Sequence, residues 1–346
     1  MYLCFITFFF IVRSFATDSR YQEFSNLDKT VTNTSAKNIV FQSLDNGKTW
    51  NDYSTGLPED FKIGNSFLIQ NSEAFLSGER GMFHRSIDSE TQTWEKEDFM
   101  NEFITDIFEG HSGTYARNAD GIFFQKLYDS GFWIAVFKEL NDINIRTIIE
   151  SKDGTMLVGT EIGIYKSSDH GKLWKRVFIE GLVTNLTSIE GVIFGNGTKG
   201  LLRSTDQGEN WEWVLTNEGF IRKTGIIGDH IVAVSTGKDD TVNPDGISNG
   251  LHISKDKGKT WSHMDRSLLP VRFIFEVGTH HSPVQYIYDI EQMNGDIFYS
   301  LDAGIFRSSN GGKTWDLVLP ARGNGEYYEV TVTDKSMYAV RVFNGC

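Results

Sequence analysis

Four carboxylates stand in short loops bounded by glycine: Glu79 in GERG, Asp120 in ARNADG, Glu161 in TEIG and Asp302 in LDAG. Two carboxylates held about 5–9 Å apart across a scissile bond hydrolyse glycosides, one as acid and the other as base or nucleophile. A second chemistry is offered by His280 and His281, upstream of Tyr286 and Tyr288. A histidine base beside a tyrosine is a pairing that polysaccharide lyases require at a uronate. Adjacent histidines in an extended chain point to opposite faces, so this pair alone is a poor two-ligand metal site. Candidate contacts for a bound ligand are Arg80, Arg117, Glu161, Lys199, Arg222 and Arg272. The sequence has no G-x-S-x-G, H-E-x-x-H, Walker loop or Cys/His metal spacing, and it points to no cofactor and no metal.

The elements that must position these residues are written as a repeat. SLDNGKTW (43–50), SIDSETQTW (86–94), SSDHGKLW (167–174), STDQGENW (204–211), SKDKGKTW (254–261) and SSNGGKTW (308–315) are copies of S-x-D-x-G-x-T-W. Their serines are spaced by 43, 81, 37, 50 and 54 residues. The gap of 81 holds an eroded seventh copy, GIFFQKLYDSGFW, with Asp129, Gly131 and Trp133 in order. Recurrence at this spacing means stacked copies of one supersecondary unit. Each copy follows an apolar run opening with glycine, such as GIYKS, GLLRS or GIFRS, which reads as a strand. The aspartate can accept turn N–H groups and the glycine can take a positive φ. The tryptophan is expected to begin the next strand and pack against a neighbouring unit. Structural roles are therefore expected for Asp45, Trp50, Asp88, Trp94, Asp129, Trp133, Asp169, Trp174, Asp206, Trp211, Asp256, Trp261, Asn310 and Trp315. Each turn offers one carboxylate, whereas a calcium loop needs several at close spacing.

The pattern resembles the Asp-box, or BNR, repeat of sialidases, sortilin-type receptors, endoglucanase-like glycosidases and photosystem II assembly-factor propellers. The resemblance covers the chain from about residue 38 onward. It implies an all-β, seven-bladed propeller of four-stranded antiparallel blades, with the box between the third and fourth strands. It also implies ligand contact on the face opposite the boxes. The first box is preceded only by NIVFQ, and the last is followed by EYYEVTVTDKSMYAVRV. These C-terminal strands are expected to pair with the strand containing Ile39–Gln42 and close the ring, which removes exposed sheet edges. The sialidase set begins with arginine in R-I-P before the first box. Here only Arg13 and Arg20 precede Ser43 and neither is followed by Ile-Pro, so sialidase activity is not expected. The arginine patch of the assembly-factor propellers has no clear match.

With 346 residues and a formal net charge of −13, one ring accounts for the chain and binding to nucleic acid is not expected. LCFITFFFIV (3–12) is too short to span a bilayer and is followed by Ser14-Phe15-Ala16, which reads as an export signal; a buried strand is the alternative. The organisation expected is a signal over 1–16, an extension over 17–37 and a propeller over 38–346. The protein is then secreted, periplasmic or extracellular. Removal of the signal takes Cys4 and leaves Cys346, so no intrachain disulfide forms and a monomer is expected. Asn33, Asn185 and Asn196 stand in glycosylation sequons.

Two loops are long, 235–250 and 264–285, and belong to adjacent blades, so they can wall one side of the channel. Two functional readings result. One is a non-catalytic propeller that binds a protein or glycan on its channel face. The other is a carbohydrate-active hydrolase or lyase using Glu79, Glu161, Asp302 or the His280/His281 loop. The absence of a catalytic constellation favours the first.

Overall fold

Strands form where branched and aromatic residues run uninterrupted, and their burial shows why. The second strand of a blade, such as MLVGT (156–160), VIFGNG (192–197) or DIFYSL (296–301), is buried at every position. Both of its faces are covered by neighbouring blades, so it reads as continuous apolar sequence rather than alternation. The fourth strands are short and mostly exposed, which limits the edge offered to other chains.

The computed structural model describes residues 38–88, 93–97, 103–127, 131–137, 140, 143–216, 218–236, 250–264, 286–323 and 325–343. These residues form seven four-stranded antiparallel sheets and no α-helix. The chain opens with β1 (Val40–Ser43) and β2 (Asn51–Asp52). Blade 1 is β3 (Ile63–Gln70), β4 (Glu73–Gly78), β5 (Gly81–Ser86) and β6 (Glu95–Lys96). Blade 2 is β7 (Ile104–Glu109), β8 (Gly113–Asn118), β9 (Phe123–Leu127) and β10 (Trp133–Val136). Blade 3 is β11 (Ile145–Glu150), β12 (Met156–Thr160), β13 (Gly163–Ser167) and β14 (Lys175–Phe178). Blade 4 is β15 (Val183–Ile189), β16 (Val192–Gly197), β17 (Gly200–Ser204) and β18 (Glu212–Thr216). Blade 5 is β19 (Ile221–Ile227), β20 (His230–Ser235), β21 (Gly250–Ser254) and β22 (Ser262–His263). Blade 6 is β23 (Asp289–Met293), β24 (Asp296–Leu301), β25 (Gly304–Ser308) and β26 (Asp316–Pro320).

Blade 7 joins the two ends of the sequence. Its order is β27 (Glu326–Val332), β28 (Met337–Phe343), β1, β2. The β28–β1 register is Val40↔Val340, Phe41↔Ala339, Gln42↔Tyr338 and Ser43↔Met337. The expected closure is the one observed. The first strands β3, β7, β11, β15, β19, β23 and β27 pack side by side in that order, and β27 meets β3. They surround a central channel. The antiparallel meander puts the box turns at one end of it. The loops between second and third strands, and the blade-to-blade connections, lie at the other end.

The core is divided into seven apolar clusters, and each straddles one blade–blade interface. Between blades 5 and 6, for example, Val232, Val234 and Leu251 meet Ile290, Ile297, Tyr299 and Trp315. Trp315 stacks on Tyr299 with centroids 4.8 Å apart.

The repeated turn is a closed set of hydrogen bonds. In the box at Ser254, the Ser254 hydroxyl donates to Asp256 Oδ1 (2.9 Å) and accepts the Gly258 N–H (2.8 Å). Asp256 Oδ1 also accepts the Thr260 N–H (2.8 Å), and Trp261 Nε1 donates to the Gly258 carbonyl (3.0 Å). The same bonds recur at Ser43, Ser167, Ser204 and Ser308. In the five regular copies that indole bond keeps the tryptophan within the turn, and the fourth strand starts one residue later than expected; it does so in blade 1 as well, whereas β10 of blade 2 starts at Trp133. The two irregular copies differ. Trp94 Nε1 reaches the Tyr53 carbonyl of blade 7 (2.8 Å), and buried Trp133 Nε1 has no acceptor among the described residues. Asp88 is exposed and Asp129 lies outside the described residues.

The box glycine also settles how blades approach. A Cβ on Gly258 of blade 5 would stand 2.4 Å from Phe194 of blade 4, and one on Gly208 would stand 2.6 Å from Leu157 of blade 3. Both residues have positive φ, +77° and +80°. The turn is therefore seated directly on the second strand of the preceding blade.

Two expectations follow. A chain ending before Glu326 loses β27 and β28, and with them the blade 6–blade 7 cluster, so it should show no cooperative melt; retention of the full-length Tm would refute ring closure as the keystone. Gly191→Ala, at φ +80° with open space around it, should cost about 1–2 kcal/mol from left-handed strain alone. Gly258→Ala should lose about a further 1–3 kcal/mol by overlap with Phe194. Equal losses in urea titrations would mean the glycine serves only the backbone.

Candidate functional site

At the end of the channel away from the boxes, three adjacent first strands bring charge and aromatic surface together. Phe67, Arg222, Lys223, Tyr288, Asp289, Tyr327 and Glu329 line a cavity of about 300 Å³. Arg222 and Lys223 open β19, Asp289 opens β23, and Tyr327 and Glu329 lie on β27. These are the positions nearest the mouth, because first strands enter the channel there.

Asp289 is the stitch of this wall. It forms an ion pair with Lys223 of blade 5, while its Oδ2 accepts the Val330 N–H of blade 7 (2.8 Å). Lys223 Nζ also donates to Glu291 Oε1 at 2.7 Å. Burial alone would push the Lys223 ammonium down, but Asp289 and Glu291 outweigh it and hold it above its ordinary range. Burial raises Glu291, with Lys223 acting against it. Burial, then the Asp289 carboxylate, push Glu329 up to about 7, against the pull of Lys223 and Arg222. Beside these groups Tyr288 and Tyr327 are stacked, with centroids 3.9 Å apart and planes 10° apart. The Arg222 guanidinium lies 5.5 Å from the Tyr288 centroid and is exposed. Tyr288 Oη donates to Asp302 Oδ1 (2.7 Å), and Asp302 Oδ2 accepts the Tyr286 N–H (3.0 Å).

The carboxylates singled out from sequence are spread around the ring. Glu79 on blade 1 pairs with Lys62 at 3.4 Å. Glu161 on blade 3 pairs with Arg146 and accepts from Asn144 (3.0 Å). Asp302 on blade 6 holds the tyrosine segment just described. Asp120 is exposed on blade 2. Each of the first three is engaged within its own blade. Among the cations, Arg80 is exposed and paired with Asp60. Arg117 is mostly buried: its Nε donates to Asp106 (2.9 Å) and its Nη1 to the Ile145 carbonyl of blade 3 (3.1 Å). It braces two blades. Lys199 lines a second cleft on the same face, about 520 Å³, with Glu180, Thr198, Trp213, Thr216 and Gly219. Arg272, His280, His281 and most of the two long loops lie outside the described residues. Of the sequons, Asn196 is buried and accepts from Thr224 Oγ1 (3.0 Å), so no glycan can be attached there in the folded chain. Asn33 lies outside the described residues.

Sequence reasoning missed Lys223, Asp289, Tyr327 and Glu329, because the channel wall is assembled from blades 5, 6 and 7. It also missed a cluster on blade 5. The metal-ligating atoms of Glu218, His252 and His263 lie within 4.8 Å of one another. A signal for the two histidines existed. The third residue of the glycine-led strand pairs with the residue two beyond the tryptophan: Phe83↔Lys96, Tyr165↔Arg176, Leu202↔Trp213, Phe306↔Leu317 and His252↔His263.

No protein-family model matches the sequence, and no curated protein matches it. Solved structures do. YCF48 from Cyanidioschyzon merolae aligns with a TM-score of 0.57 at 14% identity, over 83% of this chain and 97% of that one. A structure of YCF48 bound to D1 peptide aligns at 0.54 and 14%, over 84% and 98%. The extracellular domain of BT4673 from B. thetaiotaomicron aligns at 0.54 and 13%, over 81% of this chain and 39% of that one. At these identities the likeness is one of fold.

A raised carboxylate makes stability depend on pH. Glu329 binds its proton more tightly in the fold than in the unfolded chain, so its contribution is complete below about pH 4.5 and lost as pH rises through about 7. Glu329→Gln should therefore be more stable than the parent at pH 8, by about 1–2 kcal/mol with channel water screening the charge, and equal to it at pH 4. A difference independent of pH would show that Glu329 does not titrate in this range.

Proposed function

We propose that this chain is a non-catalytic binding module of the Asp-box propeller kind, and that its channel mouth takes a segment of a partner protein. The observation that carries this reading is the Tyr288–Tyr327 stack with Arg222 over it, set against Asp289 and Asp302. An aromatic shelf bordered by both signs of charge suits side chains and backbone amides of a polypeptide. Glycosidase action would need two carboxylates converging on one bond, and Glu79, Glu161 and Asp302 stand on blades 1, 3 and 6. The YCF48 structure with a bound D1 peptide supports the reading by analogy of fold. With a signal over 1–16 and an extension over 17–37, the 38–346 propeller would act as a monomer outside the cytoplasm. Among the described residues no helix is long and apolar enough to cross a membrane.

The test is selection of displayed random peptides on the full chain, run beside a glycan array and a polysaccharide-turnover panel. Arg222→Ala and Tyr327→Ala replace the earlier candidates Arg80 and Arg117, which are held in ion pairs. Selected peptides should bind each variant at least about tenfold more weakly, equivalent to about 1.4 kcal/mol, with little change in Tm. Peptides held equally well by both variants would place the site elsewhere. Product release from a polysaccharide would establish the enzyme reading instead, and glycan retention without peptide binding would make the chain a lectin.

A further inference from the structure

We propose that Glu218, His252 and His263 form a binding site for a late first-row divalent cation such as Zn²⁺, on blade 5. The site is independent of the channel-mouth reading. His252 is the third residue of β21 and His263 the last of β22, directly opposite in the register, with ring centroids 4.7 Å apart. Glu218 reaches them from the connection between β18 and β19, its Oε2 3.9 Å from His252 Nε2. Other blades fill this cross-strand place with groups that cannot ligate together: Tyr165 with Arg176, Phe306 with Leu317, Leu202 with Trp213, Phe83 with Lys96. Blade 5 alone puts two imidazoles there and a carboxylate beside them.

The donor set selects the metal. Two imidazoles and one carboxylate suit zinc, nickel or copper rather than calcium or magnesium, which prefer all-oxygen shells. Three protein ligands leave a fourth position for water or an incoming group. At zinc bond lengths of about 2.0–2.1 Å, ligand atoms stand about 3.4 Å apart, so the cluster must draw in by roughly an ångström. His252 is buried, and its Nε2, 3.0 Å from Ser235 Oγ, would exchange that hydrogen bond for the ion. His263 is exposed and Glu218 half-buried, so these two side chains can make the movement. Gly250 makes room, because a Cβ there would stand 2.7 Å from His252 Nε2. The carboxylate's connection also carries Gly219 and follows Thr216, the last residue of β18, and both line the 520 Å³ cleft with Lys199 and Trp213. A bound ion would thus fix one wall of that cleft.

The test is titration of the full chain with Zn²⁺ by calorimetry, and with Co²⁺ followed by visible absorption. One ion per chain is expected, with Kd in the micromolar range or tighter, a rise in Tm, and Co²⁺ bands of low-coordinate intensity. His263→Ala and Glu218→Gln change accessible side chains and should keep the fold, and each should weaken binding at least tenfold. His280→Ala/His281→Ala should leave it unchanged. No saturable binding at 100 µM Zn²⁺, or binding lost in the His280/His281 variant and kept in His263→Ala, would overturn the proposal.

Discussion

Everything in this molecule depends on the wedge of apolar side chains between successive blades. A single four-stranded sheet has two faces to cover and cannot cover either itself. The second strands, buried from end to end in blades 3, 4 and 6, are covered only when a neighbour arrives on both sides. The seven clusters are therefore joint property of adjacent blades, and no blade is stable by its own contacts. The box turns reinforce the same contact with polar groups. Lys166 of blade 3 meets Glu209 in the box of blade 4 at 2.7 Å, and Arg203 of blade 4 donates to the Lys257 carbonyl in the box of blade 5 at 2.9 Å. Between blades 6 and 7, Arg307 and Asn46 share the Asp296 carboxylate. The basic residue before the serine in GIYKS and GLLRS is thus a clasp onto the following blade, and in GIFRS it holds the Asp296 carboxylate that makes that contact.

Blade number was legible in the sequence because the repeat is a local pattern recurring every few tens of residues, and closure because the strands after the last copy complete the incomplete unit before the first. The hidden second blade was legible from Gly121 and Trp133 although its turn is eroded. The channel mouth was not. Arg222 was singled out, but its partners Tyr288 and Tyr327 come from blades 6 and 7, and the repeat gives which first strands adjoin without giving which of their side chains meet in the channel. Arg117 was read as a ligand contact because arginine in a loop-proximal position has that use; burial against Asp106 and the Ile145 carbonyl gives it a bracing role instead. The blade 5 histidines lay within reach of the repeat, since the register pairing them is the one pairing Tyr165 with Arg176.

The two features on the channel face differ in kind. The mouth is electrostatically committed: Lys223 is held charged between Asp289 and Glu291, and Glu329 is poised near neutrality. Its aromatic shelf is a buried Tyr288, bonded to Asp302, stacked on a half-buried Tyr327. The cleft beside Lys199 and Trp213 has fewer internal bonds, Trp213 Nε1 to Glu180 at 3.3 Å among them, and its shape follows the connection that bears Glu218.

The seventh blade has a consequence for biosynthesis. Its outer two strands are among the first described residues to leave the ribosome, and its inner two are among the last. Until β27 and β28 are made, β1 has only β2 to pair with among the described strands. Circularity is thus acquired only once β27 and β28 have been made, in one long-range annealing step that links residue 40 to residue 340. Such a step is slower than local pairing, with an entropic cost that grows as the logarithm of the chain length it must close. Until residues 326–343 are in place the ring cannot lock, and the blades already made stay an open arc.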